Sequence, residues 1–146
     1  MLVLDTDHLS ELDRAGAVGM ALGRRLGASN DVVATTIVSA EEQLRGWLAQ
    51  IHAAKDPHGL IPHYSRLQAR IEFFAAGTVL PWDGAAAEIY LGLRAEKIRI
   101  GTMDLKIASI VLANGALLLS RNVPDFSKVP GLRVEDWLSQ AETQGE

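Results

Sequence analysis

The sequence predicts an α/β fold, with a short parallel sheet of four to five strands and helices on both faces. Short apolar or β-branched runs alternate with longer segments whose apolar residues recur at helical spacing. Strands this short, separated by helices, are typical of a doubly wound parallel sheet. A length of 146 residues suits one domain, covering 1–146. We therefore expect three layers, with the sheet in the middle.

The first half of the chain contains two predicted strands, LVL (2–4) and DVVATT (31–36). Predicted helices run from about His8, over roughly 17–26, from Ser39, and over 64–74. Glu42 follows Ser39 at the spacing of a capping box. KDPHG (55–59) ends that helix. One face of it carries the apolar side chains Leu44, Trp47, Leu48 and Ile51.

The second half continues the alternation. TVLPW (78–82) is predicted to be strand three, and Asp83 is predicted to cap a helix over 83–96. Thr102 is predicted to cap the next helix, which Gly115 ends. ALLLS (116–120) is predicted to be strand four. We expect a loop over 123–131, a short fifth strand over 132–134 and a last helical turn over 135–140.

Composition and charge narrow the class of protein. A net charge of −4 and a pI of about 5.5 argue against a protein that coats nucleic acid by bulk charge. The absence of cysteine excludes disulfides and thiolate metal sites, and the four histidines lack paired ligand spacing. No apolar run approaches ~20 residues, and no signal peptide is evident. We expect a cytoplasmic protein without a membrane span.

Acidic side chains follow the boundaries of several predicted elements. Asp5 follows strand one, Asp104 lies in the first turn of the helix before strand four, and Asn122 and Asp125 come after that strand. Glu42 lies in the helix after strand two. Parallel sheets bind ligands beyond the carboxyl ends of their strands. Carboxylates grouped there favour Mg²⁺ or Mn²⁺, and hydrolysis of a phosphodiester is the chemistry that fits.

Each acidic residue also has a structural alternative. Asp5 could cap the first helix, although Asp7 is better placed to do so. Glu42 could be only the capping-box partner of Ser39. Asp104 could favour a helix N-terminus electrostatically, and Asp125 could be a turn residue.

The remaining polar residues give weaker signals. His8 is predicted to be a partly exposed helix residue, and His52, His58 and His63 are predicted to lie on the surface. Lys106 and Arg121 border the predicted cleft, where they either contact phosphates or remain solvated charges. The apolar stripe that includes Trp47 is expected to belong to the core or a dimer surface rather than to stack on bases.

Three segments also resemble a known family. They are VLDTDHLS (3–10), SAEEQLRG (39–46) and the block from GTMDLK to VEDW (101–137). They resemble the PIN-domain family, and most closely the VapC-type toxins of toxin–antitoxin modules. The resemblance spans 2–137, is thinnest over 56–78, and is most specific in the last block.

The resemblance implies a Mg²⁺-dependent endoribonuclease, with Mn²⁺ as the alternative metal. Asp5, Glu42 and Asp104 match the family's metal-binding acids, Glu42 because it lies four residues before Gly46. Helix geometry alone leaves Glu41 open as an alternative. Asn122 stands where many relatives have aspartate, so either it or Asp125 completes the site.

The resemblance also implies an RNA substrate, a cognate VapB-like antitoxin and a homodimer. The apolar helix over 18–26 is a candidate dimer surface. Hydrolysis by water is expected to leave 5′-phosphate and 3′-hydroxyl ends.

Two other functions compete with the nuclease. The DTD motif (5–7) matches the start of haloacid-dehalogenase-like phosphatases, in which the first aspartate, here Asp5, becomes phosphorylated. The second alternative is a catalytically silent PIN-like binding module.

Overall fold

The computed structural model describes residues 1–139, in which five parallel strands form one sheet. The strand order across the sheet is β3-β2-β1-β4-β5. The strands are β1 (Leu2–Leu4), β2 (Val33–Thr36), β3 (Thr78–Leu80), β4 (Leu117–Leu119) and β5 (Arg133–Glu135). The predicted α/β class is confirmed, and the short segment near 132–134 does form a fifth strand.

Helices connect the strands and cover the sheet. They are α1 (Thr6–Arg14), α2 (Ala17–Ala28), α3 (Ile37–Ala53), α4 (Leu60–Ala76), α5 (Gly84–Ala95), α6 (Thr102–Ala113) and α7 (Val123–Phe126). Asp83 caps α5 as predicted, because its side chain accepts a hydrogen bond from the Ala86 N–H. Gly115 follows α6 with φ of 59°, which is the left-handed conformation expected of a C′ glycine.

Two hydrophobic clusters pack on opposite faces of the sheet. Successive strand residues point to opposite faces, so Val3 and Leu118 belong to one cluster, and Leu4 and Leu119 belong to the other. The first cluster includes buried residues of α3, α5 and α6, and the second includes buried residues of α1 and α2. This arrangement is the expected three-layer architecture.

Strand register aligns the residues that follow the two central strands. β1 pairs with β4 so that Leu4 lies opposite Leu119. Asp5 and Ser120, the next residues, therefore leave the sheet at the same level. The other neighbour of β1 is β2. Near the same edge of the sheet, Thr35 Oγ1 of β2 donates a hydrogen bond of 3.1 Å to the Leu4 carbonyl of β1. Side chains beyond these strands consequently share one edge.

Two predicted helix caps are wrong. Thr36 is the N-cap of α3, and its side chain accepts from the Ser39 N–H at 3.0 Å. Ser39 is fully buried inside the helix, so Ser39 and Glu42 do not form a capping box. At α6 the N-cap is Gly101, and Thr102 is the first helical residue.

The segment after β4 also differs from expectation. Residues Val123–Phe126 form the short helix α7 rather than an irregular loop, with Pro124 in its first turn, where a missing N–H costs nothing. Glu135 belongs to β5, so the last helical turn begins after it. Gln140, the end of that predicted turn, lies outside the described residues.

The candidate dimer surface over 18–26 is largely internal. Leu22 and Leu26 are buried in the chain's own core, against β1 and β4. Gly19 packs so closely on α1 that a Cβ atom there would overlap the Glu11 carbonyl. Only part of this helix, including Met20, is exposed, so Leu22 and Leu26 are not available to the candidate dimer surface.

Within residues 1–139, the helices are all too short or too polar to cross a lipid bilayer.

Candidate active site

Asp5 is buried at the carboxyl end of the central strand β1. Its side chain is 7% exposed and accepts hydrogen bonds from the Thr6 N–H at 2.8 Å and from Ser120 Oγ at 2.7 Å. Asp5 occupies the N-cap position of α1. The assignment of that capping position to Asp7 was therefore wrong, and Asp5 combines the cap with a place in the acidic pocket.

Asp7 lies inside the first turn of α1 and joins this turn to the chain after β4. Oδ1 accepts from the His8 N–H and contacts His8 Nδ1, both at 2.7 Å. Oδ2 accepts from the Arg121 N–H at 2.9 Å. Asp7 thus fixes the chain just beyond β4 against the start of α1.

His8 is fully buried, contrary to the prediction of a partly exposed position. Nδ1 faces Asp7, and Nε2 accepts a hydrogen bond from the Trp137 N–H at 3.2 Å. An acceptor at Nε2 requires the proton to be on Nδ1, where it is donated to Asp7. The histidine therefore bridges the start of α1 and the segment after β5.

Glu42, rather than Glu41, reaches the pocket. Thr6 Oγ1 donates a hydrogen bond of 2.8 Å to Glu42 Oε2, which connects α3 to the start of α1. Glu41 points to solvent and pairs with Arg45 at 2.7 Å along the same helix.

Asp104 and Asp125 are joined through Asn122. The Asn122 amide lies 3.1 Å from Asp104 Oδ2 and 3.2 Å from Asp125 Oδ2, so its two N–H groups serve both carboxylates. Asp104 is half-buried in the first turn of α6, a helix that is otherwise largely buried. Asp125 lies nearer the solvent and also pairs with Lys128 at 3.2 Å.

Burial and neighbouring carboxylates raise the pKa values of Asp5 and Asp104. Burial raises the pKa of Asp5 to about 6; the Ser120 hydrogen bond opposes this shift, and the charges of Asp7 and Asp104 add to it. Burial also raises the pKa of Asp104, and the Asn122 hydrogen bond lowers it. Further increases come from three acids of the same pocket, Glu42, Asp125 and Asp7. All these acids therefore act on one pocket.

Asp125 behaves differently. Hydrogen bonds from Asn122 and Lys128 lower its pKa. Asn122 and Asp125 are the two candidates for the fourth residue of the site. The charge of Asp125 is already stabilised by its hydrogen-bond donors. Asn122 contacts Asp104, the more buried of the two carboxylates that it serves.

The acids of the pocket lie near one another, but they do not form a preassembled metal-binding cluster. Among residues 1–139, no three acidic or histidine side chains converge closely enough to hold an ion between them as they stand. The pocket instead offers pairs of carboxylates, each tied by a hydrogen bond to Ser120, Thr6 or Asn122.

The other polar residues vary in position. Arg121 contributes its backbone N–H to Asp7, and its side chain is exposed. Lys106 is half-buried on α6. His52 and His58 are exposed as predicted, whereas His63 is half-buried with Nδ1 enclosed.

Sequence analysis missed Thr6, Asp7 and Ser120 as pocket residues. Each carries a donor or acceptor that holds a predicted acid or the chain beside it. Ser120 had a usable signal, because it is the polar residue at the carboxyl end of a predicted central strand.

Comparisons with known proteins show which sequences and folds the chain resembles. No family model matches the chain. The chain is 38% identical over 63 residues to the tRNA(fMet)-specific endonuclease VapC of Shigella flexneri, covering 40% of this chain and 48% of that protein. It is 29% identical over 75 residues to ribonuclease VapC2 of Rickettsia felis, covering 48% and 56%. The match thus spans about half the length of these curated relatives.

Solved structures resemble nearly the whole chain. VapBC2 of Rickettsia felis bound to a promoter DNA fragment matches with a TM-score of 0.69 and 21% identity, over 93% of this chain and 98% of that one. VapBC-1 of nontypeable Haemophilus influenzae matches with a TM-score of 0.70 and 21% identity, over 93% and 97%. The chain therefore has the fold of these solved VapBC structures, and part of its sequence is similar to VapC endonucleases.

Proposed function

We propose that the chain is a metal-dependent endoribonuclease and acts as the toxin of a toxin–antitoxin pair. The observation that carries this proposal is one pocket that groups acids from distant segments. Burial and the charge of Asp104 help to raise the pKa of Asp5, and the charges of Glu42, Asp125 and Asp7 help to raise that of Asp104. Buried carboxylates grouped this way favour a cation. The VapC relatives named as endonuclease and ribonuclease support the same reaction class.

The pocket fits Mg²⁺, with Mn²⁺ as the alternative. Its donors are carboxylate, hydroxyl and amide oxygens, which are the ligands of hard divalent ions. Mg²⁺ is usually held by only one or two carboxylates together with water and substrate phosphate, so a preformed cluster of three is not required. Asp5 and Asp104 are the proposed metal ligands, and Glu42 holds the metal or a water on it.

The remaining residues keep these ligands in place. Ser120 holds one oxygen of Asp5, Thr6 holds one oxygen of Glu42, and Asn122 holds one oxygen of Asp104. The bonds to Glu42 and Asp104 use one oxygen of each carboxylate, whereas both oxygens of Asp5 accept hydrogen bonds and keep further lone pairs for a metal. Asn122 and Asp125 complete the pocket on its outer side.

A bound divalent ion supplies a polarised phosphoryl oxygen and an acidified water. Attack by water on the phosphorus breaks the bond to the 3′ oxygen, which takes up a proton as it leaves. The products are therefore RNA fragments with 5′-phosphate and 3′-hydroxyl ends.

The proposed partners are a VapB-like antitoxin and a second copy of the chain. Antitoxin binding is supported by the matched VapBC complexes. Exposed apolar side chains on α4 and α5 offer surface for such contacts, since Ile61, Tyr64 and Leu91 are 63%, 54% and 59% exposed. These residues replace the helix over 18–26 as candidate interface.

The test is cleavage of RNA by purified chain with Mg²⁺ or Mn²⁺ and without antitoxin. Asp5→Asn and Asp104→Asn should each abolish cleavage and relieve growth arrest, whereas Glu88→Gln, an exposed change on α5, should do neither. Cleavage by the double variant at the parent rate would refute the proposal. If the parent protein itself does not cleave RNA with either metal, a catalytically silent binding module is favoured.

Asp5 also separates the nuclease from the phosphatase alternative. A phosphoryl group trapped on Asp5 after incubation with a phosphate ester would support the phosphatase. A nuclease that activates water leaves Asp5 unmodified.

A further inference from the structure

A polar groove lies between α1, α3 and α4, beside the candidate active site. It encloses about 380 Å³. Its walls include Asp13 and Arg14 from α1, Gln43 and Trp47 from α3, and Arg66 and Arg70 from α4.

The groove continues from the acidic pocket along two shared helices. On α1, Ser10, Asp13 and Arg14 follow Thr6 at helical spacing and therefore share its face. That face meets α3 at the bond between Thr6 and Glu42. Ser10, a wall residue one helical turn from Thr6, therefore places one end of the groove near this bond.

The groove carries an excess of positive charge on an acidic chain. The groove has three arginines. Arg70 forms a partly buried ion pair with Asp13 at 2.6 Å, and this pair forms one wall. Arg14 is 71% exposed, and its pair with Glu11 at 2.9 Å is a surface contact of little energetic weight. Arg66 lies 5.6 Å from the Trp47 ring, and no carboxylate of the described residues pairs with it.

An acidic pocket repels the substrate that the proposed function requires. A polyanion needs cations close to the cleavage point, and guanidinium groups match phosphate oxygens in charge and shape. Single-stranded nucleic acids bind grooves that combine cations with aromatic rings on which bases stack. Arg14, Arg66 and Trp47 present these two features together.

We propose that this groove binds the single-stranded RNA next to the cleaved bond, with Arg14 and Arg66 on phosphates and Trp47 against a base. Trp47 lines the groove and is only half-buried, so this role replaces the core or dimer-surface role expected from the sequence. The proposal rests on the proposed ribonuclease function and adds the path of the substrate. An acidic protein segment would use the arginines without needing the aromatic face, so the combination favours RNA.

The experiment measures binding rather than cleavage. A fluorescently labelled single-stranded RNA of mixed sequence is titrated with the Asp104→Asn protein, and anisotropy is followed between about 50 and 200 mM salt. In that background, Arg14→Ala with Arg66→Ala should weaken binding roughly tenfold. It should also reduce the slope of log affinity against log salt by about 1.4, because each phosphate contact to a single strand contributes about 0.7. Arg24→Ala, an exposed arginine on α2 outside the groove, is the matched control.

Variants of Trp47 distinguish the contribution of base stacking to RNA binding from the contribution of charge. Trp47→Ala should weaken binding roughly tenfold without changing the salt slope, and Trp47→Phe should restore much of the loss. Circular dichroism of each variant checks that it folds, and Trp47→Phe preserves an aromatic ring if the alanine variant does not.

Unchanged affinity and salt slope in the double arginine variant would overturn the proposal. It would also be overturned if that variant bound RNA normally but lost affinity for an acidic peptide. If the parent binds RNA through the groove yet cleaves none with either metal, only the nuclease proposal fails.

Discussion

The hydroxyl of Ser120 donates a hydrogen bond of 2.7 Å to Oδ2 of Asp5, although the residues are 115 positions apart in the sequence. Both are buried, and both follow central strands that lie in register. The bond stabilises the ionised form of Asp5 against the burial that raises its pKa. The residue after β4 thereby favours the charged form of the residue after β1.

Ser120→Ala should raise the pKa of Asp5 further, because it removes this opposing bond. In the proposed nuclease, the rise of kcat/KM with pH should then move to higher pH. The measurement is a pH profile of RNA cleavage at saturating Mg²⁺. Ser127→Ala, an exposed serine after α7, should leave the profile in place, and an unmoved profile for Ser120→Ala would contradict the assigned coupling.

Asp5→Asn should stabilise the chain at neutral pH in the presence of a chelator. The pKa of Asp5 is raised from 3.8 to about 6 in the folded chain, so the folded chain binds a proton there more tightly than the unfolded chain does. The resulting stability is complete below about pH 4 and is lost as the pH rises through about 6. Asparagine imitates the neutral form at every pH, and the two pKa units correspond to roughly 3 kcal/mol.

Urea unfolding of parent and variant at about pH 5 and about pH 7.5 tests this expectation. The gain in free energy of unfolding should be larger at the higher pH. Glu88→Gln on α5 should give the same small difference at both values. An equal gain for Asp5→Asn at both pH values would argue against the raised pKa.

Divalent ions should stabilise the parent more at neutral than at acidic pH, because the proposed ligands must be ionised to bind. The melting temperature should rise with Mg²⁺ or Mn²⁺ concentration, as it does when a ligand binds only the folded state. Differential scanning fluorimetry measures the shift. The shift should be lost in Asp104→Asn, and its full retention there would remove Asp104 from the ligand set.

Asn122→Asp should distinguish the two candidates for the fourth position. The new carboxylate would lie beside Asp104 and Asp125, so like-charge repulsion should lower stability in chelator. Saturating Mg²⁺ should recover that loss if position 122 faces the metal. A loss that Mg²⁺ cannot recover would favour Asp125 as the completing residue, as measured by urea unfolding with and without metal.

His8→Leu should destabilise the fold by about 1 to 3 kcal/mol, because it leaves polar partners of the buried histidine unpaired. His8→Asn retains a donor near Nδ1 for Asp7 and should lose less. Urea unfolding of the two variants gives the comparison. Equal losses would indicate that packing, rather than the contact with Asp7, accounts for the effect.

The fold was largely predictable because its signals are local. Short apolar strands and helical periodicity predict the alternation of strands and helices. The observed parallel sheet confirms the α/β class. Helix caps were harder, since Thr36 and Ser39 both satisfy the composition rule and only the backbone conformation chooses between them. The same limit explains the exchange of roles between Asp5 and Asp7.

The acids of the candidate site were predictable from strand ends, but their supporting contacts were not. Ser120 reaches Asp5 only because β1 and β4 pair in one particular register. His8 is buried because the segment after β5 returns to cover it, which no local pattern reveals. Long-range pairing therefore accounts for what sequence analysis missed.

The bridge from Asp7 through His8 to Trp137 has a consequence during protein synthesis. The first strand emerges from the ribosome early, yet its neighbour β4 and the covering residue Trp137 are made much later. A growing chain thus carries its leading aspartates without the partners that enclose them. The hydrogen bond from the Trp137 N–H to His8 therefore forms only after translation has passed Trp137, so shorter chains leave Nε2 of His8 without this donor.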